Sequence, residues 1–228
     1  MKIGTNLGVA DFKKNYEEII DYTDFLELFY GKTQDITDVK PYRESIKTIH
    51  LPDLDNQIFQ ALDTAHEVTA EKAVVHFYTF TKIPFKEKID TLKRLSWKAE
   101  DYGIQLCLEN TAENVGLMKI LFEHLPEYAF CLDIGHANLF SNHPIDFIEA
   151  FGSRLHHIHI HDNHGGYSHD SDLHLAPGEG NIYFSRIFQL LNGINYSEYI
   201  TFESTPWDSN QRIINTLINI RKMIQKYI

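Results

Sequence analysis

The 228-residue chain predicts an α/β fold, the TIM (β/α)8 barrel, on three observations: eight short apolar runs, amphipathic stretches between them, and an alternation within the runs that puts apolar and polar side chains on opposite faces. The runs cover residues 2–7, 25–30, 46–51, 73–78, 104–109, 129–134, 156–161 and 199–203. Helical patterns cover 12–22, 55–69, 84–102, 112–125, 145–151, 184–191 and 209–227. Strands alternating with helices make βαβ units, and eight such units close a barrel. The second crossover, residues 32–43, is short and carries Pro41, so a loop or brief turn is expected in place of its helix. Residues 164–172 are polar and bear glycine, and Pro177-Gly178-Glu179-Gly180 is turn chemistry; both read as loop ahead of the helix at 184–191. A single domain over residues 1–228 suits this length.

Composition narrows the function. Hydrophobic residues make up 43% of the chain, enough for a sizeable core, and no run approaches the length of a membrane span. Met1-Lys2-Ile3-Gly4-Thr5-Asn6 opens without an apolar signal stretch, so a cytoplasmic location is expected. The two cysteines, Cys107 and Cys131, are too few for a disulfide framework and are expected to be reduced and buried. Acids outnumber bases by 32 to 21, a net charge of −11, and an acidic surface repels polyanions. With no aromatic or arginine-rich insertion to wedge into a duplex, nucleic acid is disfavoured as a partner.

Parity within the strands locates the candidate site. Successive strand residues face opposite sides. One parity is apolar: Ile49 and Leu51, Val75 and Phe77, Ile104, Leu106 and Leu108, Phe130, Leu132 and Ile134, Ile158 and Ile160, Ile200 and Phe202. These side chains are expected to pack outward against helices. The other parity carries Thr48 and His50, Val74 and His76, Cys107 and Glu109, Cys131 and Asp133, His157 and His159, Thr201 and Glu203, expected to point into the barrel. His50, His76, Glu109, Asp133, His159 and Glu203 each fall at or near a strand's C-terminal end, where TIM barrels carry their active sites. His136 and the pair Asp172 and His174 stand just beyond. Imidazole and carboxylate ligate zinc, manganese or iron, and so many of them crowded together repel and desolvate one another without a cation. Cys107 and Cys131, two residues earlier, are expected to fill the layer beneath. Of the 13 histidines, His157 is expected to be a core residue and His161 a pocket-edge residue, while His66, His124, His143, His156, His164 and His169 are expected at the surface. Asn6 and Glu27 are further candidates to line the mouth.

At Glu109-Asn110, Asp133-Ile134-Gly135-His136, His159-Ile160-His161-Asp162-Asn163 and Asp172-Leu173-His174-Leu175-Ala176-Pro177-Gly178-Glu179-Gly180, the sequence resembles the xylose isomerase-like TIM-barrel superfamily. That group holds sugar and sugar-phosphate isomerases and epimerases together with the endonuclease IV type of apurinic-site nuclease. The epimerase branch implies one divalent ion on Glu109, Asp133, His159 and Glu203, with Glu109 and Glu203 exchanging protons with substrate carbon and His136 touching substrate. The nuclease branch implies three ions: one on His50, His76 and Glu109, a second on Glu109, Asp133, His159 and Glu203, and a third on His136, Asp172 and His174. The expected function is that of a zinc- or manganese-dependent isomerase or epimerase of a sugar, sugar phosphate or related polyol. An endonuclease IV-like phosphodiester hydrolase and a non-catalytic metal-binding barrel are the alternatives.

Overall fold

The computed structural model describes residues 1–9, 12–30, 35–54, 57–78, 82–140 and 142–227, apart from the His169 side chain. Eight strands close a barrel in sequence order: β1 (Lys2–Gly8), β2 (Phe25–Phe29), β3 (Ile46–His50), β4 (Lys72–His76), β5 (Gln105–Glu109), β6 (Ala129–Asp133), β7 (Leu155–Ile160) and β8 (Tyr199–Phe202). Every neighbouring pair is parallel, including β8 with β1. Each apolar run of the sequence is therefore a strand, with ends displaced by two residues at most.

The helices are α1 (Phe12–Ile19), α2 (Ile58–Glu67), α3 (Phe85–Tyr102), α4 (Val115–His124), α5 (Pro144–Phe151), α6 (Phe184–Gly193) and α7 (Asn210–Tyr227). Each lays an apolar stripe on the barrel. In α7 the buried Ile213, Leu217, Ile220 and Ile224 recur every three or four residues, the period of one helix face. Local chemistry sets the ends. The Asn114 side chain accepts from Leu117 N and caps α4, and Gly103, at φ 67, ends α3 in a left-handed turn. The expected helix at residues 12–22 divides into α1 and a 3₁₀ turn at Ile20–Tyr22. Between β2 and β3 the described residues hold a 3₁₀ turn, Lys40–Ser45, with Pro41 in its first turn, where the missing N–H costs nothing. Residues 32–34 of that crossover, and residues 55 and 56 of the next expected helix, lie outside the described residues.

The parity expectation is realised. Ile49, Val75, Leu106, Leu108, Phe130, Leu132, Ile158, Ile160, Ile200 and Phe202 join the core between sheet and helices. Val74, Cys107, Ala129 and Cys131 form a separate buried layer inside the barrel. Both thiols are free and buried, and burial pushes Cys107 up to about 12, so they fill space rather than react. Lower still, Phe25 packs on Tyr199 with ring centroids 4.6 Å apart. A methyl at Gly4 would meet the Phe25 ring at 2.6 Å, so this floor requires glycine there. Filling below leaves the C-terminal mouth as the place where polar side chains collect. Among the described residues, no helix is long and apolar enough to cross a membrane.

Candidate metal centre

Strand register brings the polar residues together. His76 pairs with Glu109 across β4 and β5, and Asp133 pairs with His159 across β6 and β7. Glu203 directly follows β8. Glu109 is fully buried at the centre. Its Oε2 lies 3.3 Å from His50 Nε2 and 3.0 Å from His76 Nε2. Its Oε1 lies 3.4 Å from both His136 Nδ1 and His159 Nδ1. His159 Nδ1 also lies 2.9 Å from Glu203 Oε1 and 4.0 Å from Asp133 Oδ2.

Loops supply the rest. After β6 a 3₁₀ turn, His136–Asn138, carries His136, whose backbone N–H donates to Asp133 Oδ1 at 2.6 Å. Asn110, the residue after β5, braces the same carboxylate residue, exchanging two 2.9 Å hydrogen bonds with its backbone. The β7–α6 loop brings Asp172, whose Oδ2 lies 3.1 Å from His136 Nε2 and 3.2 Å from His174 Nε2. His174 sits at φ 45, a costly left-handed conformation for a non-glycine residue. Asp162 holds the loop: its buried carboxylate accepts from the backbone N–H groups of Asn163, Gly178, Gly180 and Ile182. Contacts of 4.0 Å or less thus link all nine positions expected to bind metal, His50, His76, Glu109, Asp133, His136, His159, Asp172, His174 and Glu203.

Two expectations change. His161 is a central residue rather than one at the pocket edge. It is fully buried, its Nε2 lies 3.0 Å from Asp133 Oδ1, and its ring stacks on His174 at 4.0 Å. Gly135 makes this possible, since a Cβ there would lie 1.9 Å from the His161 ring. Glu27 lies below the mouth rather than lining it: it pairs with Thr48, two residues short of the β3 end, and is fully buried. The core assignment of His157 holds, as does the surface assignment of His66, His124, His143 and His164. His157 is a buried core residue hydrogen-bonded to Thr201, and Asn6 is half-buried against Ser204. His66, His124, His143 and His164 are exposed and His156 is half-buried; the His169 side chain lies outside the described residues. A groove of about 680 Å³ lined by Trp97, Gln105 and His124 lies near the start of β5, away from these groups.

The electrostatics fit a cation. Burial alone would raise the Glu109 carboxyl, but the surrounding histidines, His159 first, hold it well below the usual carboxylate range. Burial likewise opposes charge on Asp172, and His136 and His174 hold it low. Burial would lower His136, yet Asp133, Asp172 and Glu109 raise it well above the ordinary value. His174 is pushed up to about 9 against its burial by Asp172 and Glu203. Even so, Glu109 Oε1, His159 Nδ1, His161 Nδ1 and Asp172 Oδ1 are buried without a hydrogen-bond partner. Such orphaned atoms are costly, and oxygen and imidazole nitrogen facing one another are the donor set of a zinc or manganese site. One ligand atom from each of His50, Glu109, His159 and Glu203 lies within 4.8 Å of the others, and the same is true of His136, His161, Asp172 and His174.

Known proteins agree with this architecture. The family described as xylose isomerase-like TIM barrel matches residues 53–220. The uncharacterized protein MJ1311 of Methanocaldococcus jannaschii is 30% identical over 190 residues, covering 75% of this chain and 61% of that protein. An L-ribulose 3-epimerase of a Methylomonas species is 34% identical over 125 residues, 51% of this chain and 41% of that enzyme. The matches thus span less than two thirds of either relative. A crystal structure of a D-tagatose 3-epimerase-like protein superposes with a TM-score of 0.76 at 26% identity, covering 100% of this chain and 97% of that one.

Proposed function

The chain belongs to the xylose isomerase-like TIM-barrel family, and from that premise we propose that it is a divalent-metal-dependent isomerase or epimerase of a sugar, sugar phosphate or related polyol. One observation carries the reading: two carboxylates, Glu109 and Glu203, meet the same imidazole nitrogen of His159, at 3.4 and 2.9 Å, among buried polar atoms that lack partners. Glu109, Asp133, His159 and Glu203 would hold a zinc or manganese ion. When bound, the ion would supply Lewis-acid stabilisation of negative charge on substrate oxygens.

The chain's own residues do the proton work. A carbon next to a carbonyl loses its proton to one glutamate, and the carbon–hydrogen electron pair becomes an enediolate. A proton then returns to carbon. Return to the opposite face epimerises that carbon; return to the former carbonyl carbon, with the neighbouring hydroxyl's proton passing to the other oxygen, isomerises the sugar. Glu203 is the better placed of the two for contact with substrate, because it keeps some exposure whereas Glu109 keeps none. His136 Nε2 reaches Asp172, so its ring stands at the rim where a substrate hydroxyl would bind. Similarity to an L-ribulose 3-epimerase and to a D-tagatose 3-epimerase-like protein supports the choice of a carbohydrate.

A second reading, a three-metal phosphodiester hydrolase, draws on the approach of His50 and His76 to Glu109 and on the His136–Asp172–His174 contacts. One experiment separates them. Zinc- or manganese-loaded enzyme is offered ketoses, aldoses and their phosphates in deuterated water, and in parallel a duplex carrying an abasic site. Metal-dependent deuterium incorporation at carbon is the expected outcome. Efficient strand cleavage with no exchange on any sugar overturns the proposal in favour of the hydrolase.

A further inference from the structure

Beneath the mouth, Glu27 is fully buried on β2 and sits against two histidines of β7. Its Oε2 accepts from Thr48 Oγ1 at 2.7 Å, lies 2.9 Å from His157 Nε2, and is 3.4 Å from Thr201 Oγ1. Its Oε1 has no hydrogen bond of good geometry, and 3.1 Å away stands His159 Nε2, equally without one. The ring thus stands between carboxylates on both sides, Glu27 beside Nε2 below and Glu203 beside Nδ1 above, 2.9 Å away. An imidazole that gives one nitrogen's lone pair to a cation keeps an N–H on the other; the carboxylates that would share a cation, Glu109, Asp133 and Glu203, gather at Nδ1, which leaves the Nε2–H for Glu27 Oε1.

We infer that Glu27 is a positioning residue that fixes the tautomer and ring orientation of His159, so that Nδ1 is the atom offered to a divalent cation at the mouth. The carboxylate's charge, transmitted through the ring, makes that nitrogen a stronger donor. His157 completes the arrangement by occupying Glu27 Oε2, which leaves Oε1 for His159. The layer of the barrel below the candidate site thus belongs to the site's function as well as to its packing. This inference rests on the metal-centre reading above.

The test uses Zn²⁺ as probe and reads two quantities apart from turnover. In ¹⁵N-histidine-labelled, zinc-loaded protein, with His159 assigned by comparison with His159→Gln, the expected signature is a protonated Nε2 and a zinc-bound Nδ1. In competition with a chelator, Glu27→Gln should weaken zinc binding by about 10- to 100-fold, the usual effect of losing a group that orients a ligand. Zinc affinity unchanged in a folded Glu27→Gln overturns the inference. Should that variant not fold, the wild-type spectrum decides, and zinc on Nε2 with a proton on Nδ1 overturns it. Wild-type protein that binds no zinc at all overturns the metal-centre reading, and this inference with it.

Discussion

Glu109 touches four histidines, His50, His76, His136 and His159, from a fully buried position. An amide there would keep the shape and remove the anionic charge that offsets a cation. Glu109→Gln should therefore lose more bound metal than His136→Gln, measured by metal content after identical loading and dialysis; equal contents would count against its central role. Glu203→Gln should lower proton exchange by about 10²- to 10⁴-fold, the usual share of a general acid or base. Unchanged exchange in that variant would move the proton chemistry elsewhere. At this scale most of the site was legible in the sequence, because residue type, strand parity and strand end coincide at His50, His76, Glu109, Asp133, His159 and Glu203. The depth of His161 was not legible, although it shares the parity of His159. Its depth depends on space beside Gly135, a contact between different strand ends that no single strand reveals. The level of Glu27 was not legible because it depends on the pairing of β2 with β3.

Among the elements, the loop after β7 is the most exacting. It has little regular structure to hold Asp172 and His174, and the Asp162 carboxylate substitutes for it by accepting from Asn163, Gly178, Gly180 and Ile182. Gly180 cannot be enlarged, because a Cβ would lie 2.3 Å from both Asn163 O and Asp162 Oδ1. Asp162→Asn leaves buried backbone donors short of an acceptor, at a cost of roughly 1–3 kcal/mol. The expected result is a lower melting temperature and faster hydrogen exchange at the Gly178 and Gly180 amides. Exchange no faster than in the parent would show that the turn holds itself. The sequence marked this stretch as loop from Pro177-Gly178-Glu179-Gly180 but not its anchor, since Asp162 reads locally as one more polar residue after a strand. The elements themselves were more legible. Amphipathic period and alternation located strands and helices, and Pro41 foretold the short crossover.

Over the whole molecule, the barrel must close β1 on β8 and seat α7 across the seam. Asp24 helps: its Oδ2 accepts from Ile3 N at 2.7 Å and pairs with Arg221 of α7 at 3.0 Å. Burial would raise this carboxyl, but Arg221 and the Ile3 N–H outweigh it and lower it. A depressed folded-state pKa means that the stabilisation is complete above the unfolded value of about 3.9 and is lost as pH falls through the folded value. Asp24→Asn should thus be less stable than the parent at neutral pH, by roughly 0–1 kcal/mol for so exposed a pair, and the gap should close in acid. A gap that widened in acid would contradict the assignment.

Folding gathers these histidines and carboxylates at the barrel mouth, where we propose that they hold a metal ion. Anomalous diffraction from a zinc-soaked crystal, recorded above and below the zinc absorption edge, tests it most directly. A strong peak is expected among Glu109, Asp133, His159 and Glu203, with His159 joined through Nδ1. A fully loaded crystal with no peak at the mouth would contradict it.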